Sequence, residues 1–261
     1  MKAFSVLALA LALAQWQAPM NQKTKWIKEV DKKFTFFYEA TDSFHKTEYK
    51  DLVRTGLTAT GKFFDEDYQK EFDVYLHPNR RSLDSTWATD WKSPGFKSEC
   101  WMVASGVATR LDMLSPARWK TEACEHDFTE RLKSQQLVTH ELIHVFHAQH
   151  NPSPDFSEVS GIDWFVEGLA TYGSGQCDSA RLAAVKAAIH QDEVPSGLDK
   201  FWTGKLKYGL SGSVVMFIDR KFKRRMIRQL LACTSKAEIL ARLNLTEPEL
   251  LQRWKKFMQN L

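Results

Sequence analysis

The sequence predicts an α+β chain in which a small mixed sheet forms early and a helical half follows it. Three observations carry this expectation. Strand-like segments are confined to the first 111 residues, apolar residues recur at helical spacing from Phe128 onward, and Pro152 and Pro154 interrupt that helical stretch. With 261 residues, 43% of them hydrophobic, the chain is long enough for a single sizeable core.

Met1 and Lys2 give a short positive start, and Ala3 to Ala14 is small and apolar except for Ser5. The run closes on Ala12-Leu13-Ala14, so residues 1–14 are expected to be a signal peptide cleaved before Gln15, with a retained signal anchor as the alternative. The run is too short to cross ~30 Å of hydrocarbon as a stable helix. Residues 15–31 are polar and Lys-rich and read as a loose lead-in, which leaves 32–261 as one domain.

Within that domain, the aromatic density of Phe34 to Tyr38 predicts a strand, and the spacing over Ser43 to Phe64 predicts a helix. Phe72 to Leu76 alternates as a second strand and is followed by turn chemistry at His77-Pro78-Asn79. Residues 80–96 are ambiguous, and Trp101 to Leu111 predicts a third strand. Helices are expected over Phe128–His150, Ile162–Tyr172, Ser179–His190, Tyr208–Leu231 and Glu247–Met258.

Four cysteines in an exported chain allow up to two disulfides. Three pairings exist, and proximity favours Cys100–Cys124 with Cys177–Cys233. The net charge of +4 is too small to argue for nucleic acid. The dense run Arg220 to Arg225 reads first as a solvated helix face and second as an attraction to acidic surfaces.

The residues that carry chemistry are His140-Glu141-Leu142-Ile143-His144, an H-E-x-x-H pattern. Two His four residues apart on a helix sit one turn above each other, so both rings reach one ion. Glu141 lies at the rim of that face, placed to take a proton from water rather than to bind metal. Leu137, Val138, Leu142, Ile143, Val145 and Phe146 surround these polar groups. Burying two His and a Glu without partners costs several kcal/mol, and a metal ion accounts for them economically.

A third ligand is still needed, and two residues compete for the place. His150 stands where H-E-x-x-H-x-x-G-x-x-H puts a third His, but His147 replaces the Gly that turns that chain. Glu167, in Trp164-Phe165-Val166-Glu167-Gly168-Leu169-Ala170, follows His144 by 23 residues across a Pro-rich loop. It suits a helix returning beside the first, with Gly168 and Ala170 small enough for close approach, and it is the favoured candidate. Otherwise it is an exposed first-turn carboxylate.

H-E-L-I-H followed by W-F-V-E-G-L-A resembles the gluzincin branch of the zinc metallopeptidases, in particular the small peptidase-MA-like domains of secreted proteins. The likeness extends over about residues 32–230, although only the two metal motifs are specific. It implies a zincin-like fold and one Zn²⁺ held by His140, His144 and Glu167. It further implies peptide-bond hydrolysis with Glu141 as base and Tyr208, at the start of the closing helix, as an oxyanion donor. One departure stands out: Thr171 occupies the place of the Asp that orients a ligand His in thermolysin-like members. That task is then expected of Asp163 or a backbone carbonyl.

Other chemistries lack their patterns. There is no G-x-S-x-G, no G-x-x-x-x-G-K-[ST] and no G-x-G-x-x-G followed by an acid. His147 and His150 read as orienting or surface residues, and His45, His77, His126 and His190 as surface residues. The nine Trp read as core or groove walls. The expected function is a secreted zinc metallopeptidase acting on peptides or proteins, with no nucleic acid and no stable membrane insertion. The alternatives are a non-catalytic secreted binding module on the same scaffold and a zinc hydrolase of non-peptide amides.

Overall fold

The first strand, β1 (Ile27–Val30), lies within the stretch expected to be a loose lead-in. Its four residues pair antiparallel with β2 (Phe34–Tyr38), which gives this polar segment a place at the sheet edge that apolar patterning does not reveal. The computed structural model describes residues 24–261, so the expected signal peptide at 1–14 lies outside the described residues.

A long helix, α1 (Lys46–Phe64), leads to β3 (Phe72–His77), which pairs parallel with β2. Residues 80–96, ambiguous in the sequence, form α2 (Arg80–Asp90), whose first turn is capped by Asn79 accepting from the Ser82 N–H. The expected third strand is two: β4 (Ala104–Val107) and β5 (Arg110–Leu114), antiparallel across a two-residue loop. Neither loop residue, Ala108 nor Thr109, has a positive φ. The Gly or Asn signal that usually announces a two-residue hairpin is therefore missing. The sheet order is β1-β2-β3-β5-β4, with β3 and β5 parallel.

After a short helix α3 (Trp119–Glu122) the chain is helical, as expected: α4 (Arg131–His150), α5 (Asp163–Gly173), α6 (Ser179–His190), α7 (Lys207–Leu230), α8 (Lys236–Leu243) and α9 (Glu247–Gln259). The sequence reading had no α8; it is capped by Ser235. Lys223 (φ 73°) breaks α7, which was expected to be continuous. A five-stranded mixed sheet followed by a helical half is the α+β arrangement anticipated. No helix among the described residues is long and apolar enough to cross a membrane.

One sheet face supplies Phe34, Phe36, Tyr38, Val74, Leu76, Leu111 and Met113 to the core. Helix α4 packs against β4, α1 and α5. From Leu137 onward it is largely enclosed, burying Leu137, Val138, Leu142, Ile143, Val145 and Phe146. Four tryptophans, Trp87, Trp119, Trp164 and Trp254, are fully buried core residues. His77, expected at the surface, is 1% exposed and lies between Ser82 Oγ (3.0 Å) and Asp112 Oδ1 (2.9 Å). It ties β3 to β5 and α2, with Arg110 bridging Asp112 to Asp90.

Cys100 and Cys124 form a disulfide, as expected. The second expected bond is absent: Cys177 and Cys233 are both free and buried in different places. Cys177 follows α5 and sits against Gly212, whereas the Cys233 carbonyl accepts from Asn151 at the end of α4. The 24-residue separation of Cys100 and Cys124 corresponds to roughly 3 kcal/mol of stabilisation in the loop-closure account. Replacing both with Ser should lower the unfolding free energy measured in urea by about that amount, and reduction of the wild type should match it. Identical unfolding curves for the reduced and oxidised protein would contradict this.

His147, expected as an orienting or surface residue, is fully buried between Phe156 and Phe165. Neither ring nitrogen has a hydrogen-bond partner. Burial, reinforced by His144, pushes the imidazole down to about 3. An unfolded His titrates near ~6.5, so below that pH the unfolded chain holds a proton the native chain refuses. Stability should therefore fall with acidification by up to ~1.4 kcal/mol per pH unit from this one group, down to about pH 3. In metal-free protein, His147→Phe should remove one proton's worth of slope between pH 6.5 and 4. An unchanged slope would assign the acid sensitivity to other groups.

Candidate metal centre

Helix α4 presents His140 and His144 one turn apart, and α5 brings Glu167 across to them. The two Nε2 atoms are 3.1 Å apart, and Glu167 Oε2 lies 3.3 Å from the first and 3.5 Å from the second. Two donors of a tetrahedral ion with bonds of about 2.0–2.1 Å sit about 3.3–3.4 Å apart. The triangle has those dimensions, and these three residues form a group able to hold a metal ion.

The electrostatics of the group suit a cation. His140 Nδ1 is 2.9 Å from Gln176 Oε1, an oxygen that can only accept, so the ring carries its proton on Nδ1. Its Nε2 then offers a lone pair to the centre. Both rings are 7% exposed, and a shared proton or a metal ion would satisfy the facing nitrogens and the carboxylate. Burial pushes the Glu167 carboxyl up, but the two imidazoles outweigh it and hold it well below the usual carboxylate range. Burial likewise lowers His144, and the charges of Glu167 and Glu141 reverse the sign.

Two glycines set the approach of the surrounding elements. A Cβ on Gly168 would lie 2.5 Å from the Ser211 carbonyl oxygen, so α5 rests directly on the α7 backbone. The close approach expected between α5 and α4 at this glycine is thus made to α7 instead. It places Glu167 beside the first turn of α7, where Tyr208 sits. A Cβ on Gly106 would lie 2.3 Å from the Glu141 carbonyl oxygen, so β4 lies flat on the turn that carries Glu141.

The remaining expected residues separate clearly. Glu141 stays outside the three-donor group, half-buried at its edge. Burial pushes the Tyr208 hydroxyl up to about 12, with the charges of Glu167 and Glu141 adding to the shift, so it is a proton donor at neutral pH. His150 is no ligand: its Nδ1 bonds the Phe146 carbonyl and its Nε2 lies 3.1 Å from Glu66. Neither Asp163, exposed at the start of α5, nor a backbone carbonyl orients His140; Gln176 does. The sequence reading had no signal for Gln176, which stands in the loop after α5 outside any ligand spacing. No protein-family model matches the chain, and no curated protein matches it by sequence.

Gly168→Ala should force α5 off α7 and displace Glu167. Overpacking of this kind costs about 1–3 kcal/mol, and metal affinity measured by competition with a chromogenic chelator should fall with it. Unchanged affinity and melting temperature would show that α5 tolerates the shift.

Proposed function

We propose that this chain is a secreted zinc metallopeptidase of the gluzincin type, with a zincin-like fold, holding one Zn²⁺ through His140, His144 and Glu167. The observation that carries the reading is the donor triangle, two buried imidazoles and a half-buried carboxylate, with edges of 3.1, 3.3 and 3.5 Å. Two imidazoles and one carboxylate at tetrahedral spacing suit zinc, and three protein donors leave a fourth position free, as in catalytic sites. The resemblance of the two motifs to gluzincins points the same way. The Cys100–Cys124 bond agrees with export by the expected signal peptide.

A bound zinc ion supplies a Lewis acid for the substrate carbonyl and lowers the pKa of water towards ~7. The chain's own residues do the rest. Glu141 takes the proton of the attacking water and delivers it to the leaving nitrogen, so the amine departs neutral. The Tyr208 hydroxyl, held protonated, donates to the carbonyl oxygen as negative charge develops on it. Strand β4 is the outer strand of the sheet and lies against the Glu141 turn. Its free edge suits an extended peptide laid alongside, which favours a peptide over a smaller amide.

Protein purified without chelator should contain one zinc per chain and digest casein, and a chelator should stop digestion. Glu141→Gln should keep the zinc and lose roughly 10²–10⁴-fold in turnover. His140→Ala and Glu167→Ala should lose both metal and activity. Native protein free of transition metal, or digestion that survives Glu141→Gln, would defeat the reading.

A further inference from the structure

Beside the metal centre lies a second feature that the chemistry above does not use. A cleft of ≈ 620 Å³ opens between the start of α7, the N-terminal part of α6 and the segment around the disulfide. Tyr208 belongs to both places: it lines the cleft, and its hydroxyl feels the charges of Glu167 and Glu141. Arg181 joins them again, lining the cleft while its Nη1 donates to the carbonyl of Gln176, whose side chain holds His140. A substrate residue next to the scissile bond therefore has this cleft within reach.

The cleft has a definite charge preference. Lys207 Nζ stands among three rings, 4.4 Å from the centroid of Trp101, 4.8 Å from Trp202 and 5.2 Å from Tyr208. The rings fix the ammonium without neutralising it, because aromatic faces attract a cation but carry no net charge. Among the described residues no carboxylate pairs with Lys207 or with Lys205, which also lines the cleft. Of the two acids present, Asp178 is already engaged: it caps α6 and pairs with Arg181 at 3.3 Å. Glu125 remains, exposed at the rim, so two unpaired ammonium groups face one carboxylate. The first turn of α7 adds to this preference. Its N-cap, Leu206, offers no side-chain acceptor, and Lys207, Tyr208 and Gly209 at that end line the cleft.

We propose that the cleft takes a carboxylate of the substrate close to the scissile bond, with Lys207 as the residue that determines the preference. The aromatic walls pack the carbon chain that carries it. The carboxylate comes from an acidic side chain or from the C-terminus of a peptide. This assignment rests on the peptidase reading for its substrate, while the charge preference of the cleft stands on Lys207 and its surroundings.

The test uses zinc-loaded full-length protein and matched peptides built on a cleaved casein sequence. One set exchanges Glu for Gln at each position flanking the cut, and another compares a free with an amidated C-terminus. The acid should exceed its amide twin about tenfold in kcat/KM, mostly through KM, as a charge-assisted contact gives. The set that shows the difference identifies the source of the carboxylate. Lys207→Met, which keeps the aliphatic stem among the rings, should shrink the ratio to within about threefold, and Lys207→Arg should restore it. The same peptides titrated calorimetrically against zinc-loaded Glu141→Gln should show the preference in affinity without turnover. Equal handling of acid and amide twins, or a preference untouched by Lys207→Met, overturns the proposal and leaves the peptidase reading standing. If no peptide is cut, the peptidase reading falls and the titration decides: a Lys207-dependent acid preference supports the cleft assignment, and its absence overturns it.

Discussion

Helices α4 and α5 meet at one electrostatic constraint: two buried imidazole nitrogens face each other at 3.1 Å with a carboxylate oxygen closing the triangle. Neutral lone pairs and an anion at this separation repel one another, and burial removes the water that would screen them. A shared proton or a metal ion at its centre relieves this repulsion. The Gln176 contact settles which His140 nitrogen takes part, because an amide oxygen accepts and never donates. Much of the surrounding packing serves to bring these four side chains together and hold them.

That packing is achieved by bare backbone rather than by large side chains. Helix α5 reaches the centre by resting on α7 at Gly168, and β4 reaches it by resting on α4 at Gly106. In each case a carbonyl oxygen occupies the space a methyl group would need. The polar groups of the centre are thereby placed by contacts that tolerate almost no displacement, which suits a site whose donors must hold ligand spacing. The dense basic run on α7 is partly consumed by structure. Arg224 pairs with Asp219 and bonds the Phe63 carbonyl, and Arg228 bonds the Phe64 carbonyl, tying α7 to the end of α1.

The centre was legible in the sequence because its signals are local. Four-residue spacing on a helix places His140 over His144 wherever that helix goes, and W-F-V-E-G-L-A carries its own small residues for close packing. The order of strands and then helices was legible for the same reason. What escaped were features decided at a distance. Gln176 acts through a loop with no periodicity, and His77 and His147 are buried by elements far from them in sequence. The Ala108-Thr109 turn lacks any left-handed residue to mark it. Proximity along the chain identified Cys100–Cys124 but failed for Cys177 and Cys233, which the fold keeps in separate parts of the helical half. The polar β1 was hidden because an edge strand need bury little.

Trp101 and Glu125, which stand at the cleft, each directly follow one half of the Cys100–Cys124 bond. The same segment is held from beneath by the Arg80 guanidinium, which donates to the carbonyls of Glu99, Cys100, Met102 and Glu122. The wall is thus clasped covalently on one side and by a fan of hydrogen bonds on the other, while no metal donor lies within it. The disulfide wall and the three donor residues thus lie on separate pieces of the chain. A reducing milieu would leave this wall to the Arg80 hydrogen bonds alone, without touching any of the three donor residues.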